Sequence, residues 1–130
     1  MVTKGRRKLA KKITPSELDI PAFLMNFPFT VDNKNPNNIL MKENCEPYNY
    51  DRAFSQWMDL YQTIVDEGGL VYILPSEKEF QDLPYVANIG AYLPHLKENT
   101  ILVSNFYSPP RMGEELIAIN FFHSMRYNVR

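Results

Sequence analysis

The chain has a single cysteine, Cys45, among its 130 residues. One cysteine cannot form an internal disulfide, so the sequence predicts a reducing, cytoplasmic setting rather than a disulfide-stabilised secreted domain. Long apolar runs are missing as well. The apolar stretch after Ile20 is interrupted by Pro21, Asn26 and Pro28, which leaves it too short for a transmembrane helix or for the apolar part of a signal peptide. We therefore expect a cytoplasmic protein with no membrane partner.

Basic side chains are scarce in most of the chain. The formal net charge is −1, but residues 1–12 hold six basic side chains and no acidic one. This leaves 8 of the 14 basic side chains against 15 acidic ones in the remainder, a net charge of −7. The acidic remainder argues against nucleic-acid binding, because phosphate contacts require clustered cations. We expect residues 1–20 to form a flexible basic arm and residues 21–130 to form the folded domain. Attachment of the arm to nucleic acid or to an anionic membrane surface is the alternative.

Apolar residues make up 45% of the chain and aromatic residues 13%, which is enough for the core of one modest domain. The first part of this domain is predicted as a strand, a polar loop, a second short strand, a helix and a third strand. The helix has apolar residues at three- and four-residue spacing, begins near Asn49 or Asp51, and is ended by Gly68. The predicted bounds are Ala22–Phe27 for the first strand, 30–38 for the loop, Asn38–Met41 for the second strand, Asp51–Glu67 for the helix and Leu70–Leu74 for the third strand.

A second unit follows in the same order. Two strands, Tyr85–Leu93 and Ile101–Ser104, are joined by a turn at Pro94–Asn99, and a helix is predicted over Gly113–Tyr127. The order strand, strand, helix, strand thus occurs once in full and a second time without its last strand. A domain of this kind leaves a sheet edge open, so we expect a homo-oligomer or a complementing C-terminal chain.

The segment between these helices carries polar side chains at the ends of predicted strands. It contains the pattern Asp82-x-x-Tyr85-x-x-Asn88, then the two strands, then Arg111-x-x-Glu114. In α/β folds, the ends of strands are where sites for charged small molecules are built. The pattern therefore indicates a binding site for such a molecule.

This pattern resembles the guanidino-group-modifying superfamily, which includes dimethylarginine dimethylaminohydrolases, arginine deiminases and amidinotransferases. Phe23–Met41 is also similar to the opening strand and loop of that family, with Asn37, Asn38 and Met41 in the place of its Asn-x-x-Met run. The resemblance covers most of residues 22–127. It implies an α/β fold, a partial pentein-like propeller of about two strand-strand-helix-strand modules with the last strand missing.

The resemblance implies that Asp82, Tyr85, Asn88 and Arg111 bind an arginine-like guanidino compound. A guanidinium is flat, cationic and carries its donors in a fixed fork, so the Asp82 carboxylate and the Asn88 amide oxygen are suitable partners. Tyr85 would form a wall of the pocket. Hydrolases of the family usually have a second acid in the place of Asn88, so hydrolase and transferase both stay open.

Arg111 would bind the α-carboxylate of the substrate, and Glu114 would orient Arg111. Each of these residues also has a purely structural interpretation. Asp82 can simply begin a turn, and Asn88 can cap a bend. Tyr85 can be an ordinary core aromatic. Arg111 can be a surface residue paired with one of the two glutamates that follow it, which would be worth little energetically.

The chemistry of the family requires a cysteine thiolate that attacks the guanidinium carbon and a histidine that carries protons to the leaving amine. Cys45 is not at the family's nucleophile position, and neither His95 nor His123 follows its histidine motif. There is no metal-ligand spacing. We therefore expect no catalytic residue, no cofactor and no metal site in this chain.

The sequence thus favours the N-terminal part of an amidinotransferase-like or dimethylarginine dimethylaminohydrolase-like enzyme, which holds the substrate but is inactive alone. A non-catalytic binding or assembly module of the same fold is the alternative. A third hypothesis is an RNA- or membrane-associated protein that acts through residues 4–12.

Overall fold

The computed structural model describes residues 19–32, 34–43 and 46–130. Residues 4–12 and Cys45 lie outside this part, so the predictions about the basic arm and the cysteine stay predictions. The described residues form five β-strands and three α-helices in a mixed α/β arrangement, which confirms the predicted class. None of these helices has the length and apolar content needed to cross a membrane.

The first sheet consists of two parallel strands, β1 (Ala22–Met25) and β2 (Leu70–Ile73), paired in register from the first residue to the last. The residue after β1, Asn26, is only 2% exposed. Its Nδ2 donates a hydrogen bond to the Leu74 carbonyl at 2.8 Å, and its own carbonyl accepts one from Trp57 Nε1 at 2.9 Å. Asn26 therefore ties the carboxyl ends of both strands to the helix that connects them.

The long helix of this connection, α2 (Tyr50–Asp66), matches the predicted helix to within one residue at each end. Asn49 rather than Asp51 is its N-cap, because the Asn49 side chain accepts a hydrogen bond from the Arg52 N–H at 2.9 Å. Gly68 follows the helix with a φ of 81°, the left-handed conformation that glycine adopts without a steric penalty.

The predicted strand Asn38–Met41 is wrong. These residues begin a short helix, α1 (Ile39–Glu43), instead. The Asn38 side chain accepts a hydrogen bond from the Leu40 N–H at 2.9 Å, so it caps the first turn of the helix. Four apolar or neutral residues in a row are too short a pattern to separate a strand from one helical turn.

The second sheet has the strand order β3 (Gly90–Tyr92), β4 (Thr100–Val103) and β5 (Asn128–Val129). β3 is antiparallel to β4, as in a hairpin, and β4 is parallel to β5. The helix α3 (Glu114–Ser124) provides the crossover between β4 and β5. Its N-cap is Gly113, which has a φ of 107°.

Two further predictions about this unit are wrong. The predicted strand Tyr85–Leu93 is extended only from Gly90, and Val86–Asn88 forms a 3-10 turn before it. The last strand, predicted to be missing, is present as β5. Arg126 has a φ of 67° and turns the chain back toward β4, and the resulting strand of two residues is too short to leave a periodic pattern. Among the described residues, the second unit is complete and the first one lacks its second strand.

The hydrophobic core joins both units. Its fully buried members are Leu74 at the end of β2, Leu83 and Ile89 on either side of the 3-10 turn, and Ala118 on α3. Partly buried side chains such as Phe106, Phe121 and Phe122 pack around them. The segment from Asp82 to Asn88 is therefore held at both ends by residues that are withdrawn from water.

Self-association is still expected on physical grounds, although β5 pairs with β4 and covers that edge of the second sheet. Among the described residues, β1 and β2 pair only with each other, and a cavity of about 530 Å³ with mostly apolar lining opens between the two sheets. Phe23 on β1 lines this cavity and is 45% exposed. Unpaired strands and exposed apolar side chains favour association with a second chain.

We predict that the chain sediments as a dimer or a larger species at about 50 µM, in the concentration range where exposed strand edges associate. Phe23→Glu should shift it toward the monomer, because it places a charge in the apolar cavity. Leu96→Glu, in the turn between β3 and β4, is the matched control and should leave sedimentation unchanged. A native chain that sediments as a single monomeric species would contradict the prediction.

Candidate functional site

The Asp82 segment lies directly beside the core. Leu83 is completely buried, and Asp82, one residue earlier, is half-buried. The Asp82 carbonyl accepts hydrogen bonds from the Tyr85 N–H at 3.0 Å and, at the long distance of 3.5 Å, from Arg111 Nη2. Its carboxylate makes no hydrogen bond or ion pair to another described residue. The backbone of Asp82 is therefore fixed while its charge stays available to a ligand.

Tyr85 and Asn88 are brought together by the 3-10 turn. Residues three apart in such a turn lie one above the other, whereas three apart in a strand they point to opposite faces. The Asn88 N–H donates to the Tyr85 carbonyl at 3.1 Å, which closes the turn. Tyr85 is 51% exposed and Asn88 is exposed. The interpretation of Tyr85 as an ordinary core residue is therefore wrong.

Arg111 is part of a buried ion pair. It ends the 3-10 turn Pro109–Arg111, and its Nε donates to the two carboxylate oxygens of Glu114 at 3.0 and 3.1 Å, while Nη2 contacts Oε2. The side chain of Arg111 is 13% exposed and that of Glu114 is not exposed at all. The guanidinium also stacks over the Phe106 ring, 4.2 Å from its centroid. The alternative of a surface ion pair is thus wrong, because both partners are largely removed from water.

The partner of Arg111 is Glu114 and not Glu115. The Glu115 carboxylate instead accepts a hydrogen bond from the Gly113 N–H at 2.8 Å, at the start of α3. Nε and Nη2 of Arg111 are bound to Glu114 and the Asp82 carbonyl, and Nη1 has no partner among residues 19–32, 34–43 and 46–130, so it is the nitrogen open to a ligand. A bidentate pair of this kind fixes the plane of the guanidinium as well as its position.

The four predicted binding residues line one cavity of about 510 Å³, together with four residues that sequence reasoning did not assign to the site. Its described lining is Asn37, Asn38, Asp82, Tyr85, Asn88, Ser108, Pro110 and Arg111. The loop before α1 thus contributes two amide side chains. The resemblance had placed Asn37 and Asn38 in the family pattern without giving them a role, and their neighbourhood to Asp82 depends on contacts distant in sequence.

The lining suits a ligand that carries two opposite charges. Its described residues supply one carboxylate, from Asp82, and one guanidinium, from Arg111, and their remaining polar groups are neutral. Neither cysteine nor histidine is among the lining residues that belong to the described part of the chain, and His95 and His123 are both exposed. No three His, Cys, Asp or Glu side chains within the described residues are grouped so as to hold a metal ion. This cavity can bind and orient a ligand, but its described lining offers no activated nucleophile.

Tyr48 interacts with Tyr85 from the segment before α2. Burial raises the pKa of the Tyr48 hydroxyl, and the neighbouring Tyr85 and Tyr50 hydroxyls raise it further. The Tyr48 hydroxyl donates a hydrogen bond to the Pro28 carbonyl at 3.2 Å. It therefore stays protonated at neutral pH and serves as a donor rather than as a base.

No family model matches the chain. The bifunctional arginine dihydrolase/ornithine cyclodeaminase AgrE of Nostoc sp. is 33% identical to it over 107 residues, which are 82% of this chain and 14% of AgrE. The enzyme of the same description from Synechocystis sp., ArgZ, is 37% identical over 78 residues, which are 60% of this chain and 10% of ArgZ. The chain thus spans a small part of the length of these relatives.

Solved structures of the same two proteins are similar to the chain. The N-terminal domain of ArgZ bound to product, described as an arginine dihydrolase, matches with a TM-score of 0.72 at 28% identity, over 86% of this chain and 39% of that one. A cysteine-to-alanine mutant of AgrE in complex with L-arginine matches with a TM-score of 0.71 at 32% identity, over 85% of this chain and 16% of that one.

We predict that Glu114→Leu lowers the free energy of unfolding by about 3 kcal/mol or more, because it leaves the largely buried Arg111 without a counter-charge. Combining Glu114→Leu with Arg111→Met should recover most of this loss, since a buried ion pair and a packed apolar pair are often similar in stability. Urea denaturation measures both. Glu77→Leu, at an exposed position, is the control and should change stability by less than about 0.5 kcal/mol. An equal loss of unfolding free energy in the single and the double variant would contradict the assignment of Arg111 and Glu114 as a buried ion pair.

Proposed function

We propose that the chain forms the substrate-holding part of an enzyme that acts on arginine-like compounds. This proposal rests on its homology to the N-terminal arginine dihydrolase domain of AgrE and ArgZ, which are guanidino-group-modifying enzymes of pentein fold. The observation that carries this proposal is the shared cavity. Asp82 and Arg111 place a negative and a positive group on one lining, and arginine has a cationic guanidinium and an anionic α-carboxylate at its two ends.

In this proposal Asp82 binds the guanidinium through its charge and Asn88 accepts a hydrogen bond in the same plane. Tyr85, exposed beside them, forms the wall of the pocket. Arg111 binds the α-carboxylate through Nη1, and Glu114 orients it from behind. The complex of AgrE with L-arginine supports an amino-acid substrate of this type. That both relatives are arginine dihydrolases favours a hydrolase over an amidinotransferase.

The proposal also includes a larger assembly. We expect the cysteine nucleophile and the histidine of the family mechanism to come from sequence outside these 130 residues, or from a complementing C-terminal chain, and the two units described here to be modules of a pentein-like propeller. The chain matches 39% of the length of the ArgZ N-terminal domain, which leaves room for further modules. A non-catalytic binding or assembly module is the second candidate, favoured by the lack of cysteine and histidine in the described cavity lining.

Titration calorimetry with L-arginine, agmatine and L-citrulline tests the proposed ligand class. Citrulline lacks the positive charge and agmatine lacks the α-carboxylate. Asp82→Asn should weaken L-arginine and agmatine binding by about tenfold or more, because it removes a charge-assisted hydrogen bond. Asp59→Asn, at an exposed position on α2, is the matched control and should bind as the native chain does. Native binding that is equal for arginine and citrulline would refute the role of Asp82.

The same titrations test Arg111. Replacing Arg111 by Met together with Glu114 by Leu should weaken L-arginine binding about tenfold and leave agmatine binding nearly unchanged, because only arginine carries the carboxylate. The double variant avoids a buried, unpaired Glu114. An equal loss for both ligands would mean that Arg111 supports the structure and does not contact the ligand.

We predict that the chain alone releases neither ammonia nor citrulline from L-arginine, even where calorimetry shows binding. Its described cavity offers no thiolate and no imidazole, and covalent catalysis in this family needs both. Ammonia release by the purified chain, measured at saturating arginine over hours, is the assay. Turnover that disappears on Cys45→Ala would overturn the prediction and assign catalysis to Cys45.

A further inference from the structure

The loop that carries Asn37 and Asn38 reaches the cavity from a distant part of the sequence. The helix that follows it, α1, has no buried residue, so apolar packing contributes little to holding this helix in place. Pro36, directly before Asn37, is buried. Both neighbours of Pro36 form hydrogen bonds to one side chain, that of Gln81.

Gln81 uses both ends of its amide on this loop. Its Nε2 donates to the Asn35 carbonyl at 2.8 Å, and its Oε1 accepts from the Asn37 N–H at 3.1 Å. The Gln81 carbonyl accepts a third hydrogen bond, from the Thr30 hydroxyl at 3.4 Å. An amide suits this position because it supplies one donor and one acceptor side by side, which neither a carboxylate nor an ammonium can do.

The backbone that carries the Gln81 side chain is held in place by its neighbours in the sequence. Gln81 precedes Asp82, which lines the cavity, and Leu83, which is completely buried in the core. The fixed backbone of this tripeptide defines where the Gln81 amide lies and, through it, where the loop lies. A displacement of the loop would move Asn37 and Asn38 relative to Asp82, and positioning errors of about 1 Å are costly in sites of this kind.

We propose that Gln81 is a positioning residue of the guanidino-compound site: it fixes the loop that carries Asn37 and Asn38 at the correct distance from Asp82. This inference rests on the proposed function, because it takes the cavity of about 510 Å³ as the place where the ligand binds. Gln81 does not itself line that cavity. Its effect on the ligand passes through the two asparagines.

The test uses Gln81→Met in the full 130-residue chain, because methionine keeps the length and flexibility of the side chain and removes both hydrogen bonds. Two readouts are followed: amide hydrogen exchange of Asn37 by NMR, and the dissociation constant for L-arginine by calorimetry. We expect Asn37 exchange to accelerate and the dissociation constant to rise about tenfold, in line with the loss of two hydrogen bonds. Gln56→Met, at an exposed position on α2, should change neither readout.

Each outcome decides between the alternatives. Unchanged Asn37 exchange in Gln81→Met would overturn the contact itself. Faster exchange with an unchanged dissociation constant, measured well below the melting temperature, would show that Gln81 only stabilises the fold and would overturn its positioning role. If the native chain binds no guanidino compound, the proposed function fails and the positioning role fails with it, while Asn37 exchange still tests the contact.

Discussion

The burial of Leu83 and Ile89 against Leu74 and Ala118 is the constraint on which the site depends. The four side chains come from the end of β2, from both sides of the 3-10 turn and from α3, so one cluster connects three parts of the chain. Each of these two buried residues beside the turn directly follows a polar residue that lines the cavity. The hydrophobic free energy of the cluster therefore also fixes the positions of Asp82 and Asn88.

The buried Glu114 has a comparable role for Arg111, the other charged residue of the described lining. A carboxylate without solvent contact is tolerated only with a close counter-charge, and Arg111 supplies it. The pair constrains Arg111 from one side and the Phe106 ring constrains it from another. A flexible, fully charged side chain is thereby converted into a fixed group at the edge of the cavity, which lowers the entropy lost when a ligand binds.

The sequence predicted α2 and β2 to within one residue at each end and α3 to within three residues, because runs of apolar residues, the Asn49 cap and Gly68 are local signals. It failed where geometry depends on short elements. Tyr85 and Asn88 were expected on one strand, where an odd spacing would have put them on opposite faces; the 3-10 turn brings them to the same side. The residue types in the pattern Asp82-x-x-Tyr85-x-x-Asn88 thus indicated a binding site. The backbone conformation that brings these side chains to one cavity could not be predicted from periodicity. β5 and the contribution of Asn37 and Asn38 depend on contacts distant in sequence, which no local pattern reports.

Three consecutive residues face three different environments: Gln81 contacts a loop, Asp82 lines a cavity and Leu83 fills the core. The number of residues in this tripeptide cannot change without moving a side chain into the wrong environment. One inserted or deleted residue would exchange these environments, so that a charge would meet the apolar interior or leucine would meet water. The turn over Pro94–Asn99, which is mostly exposed, has no such restriction. Natural length variation in proteins of this type is therefore expected to accumulate at the hairpin end and to spare the chain between Phe80 and Ile89.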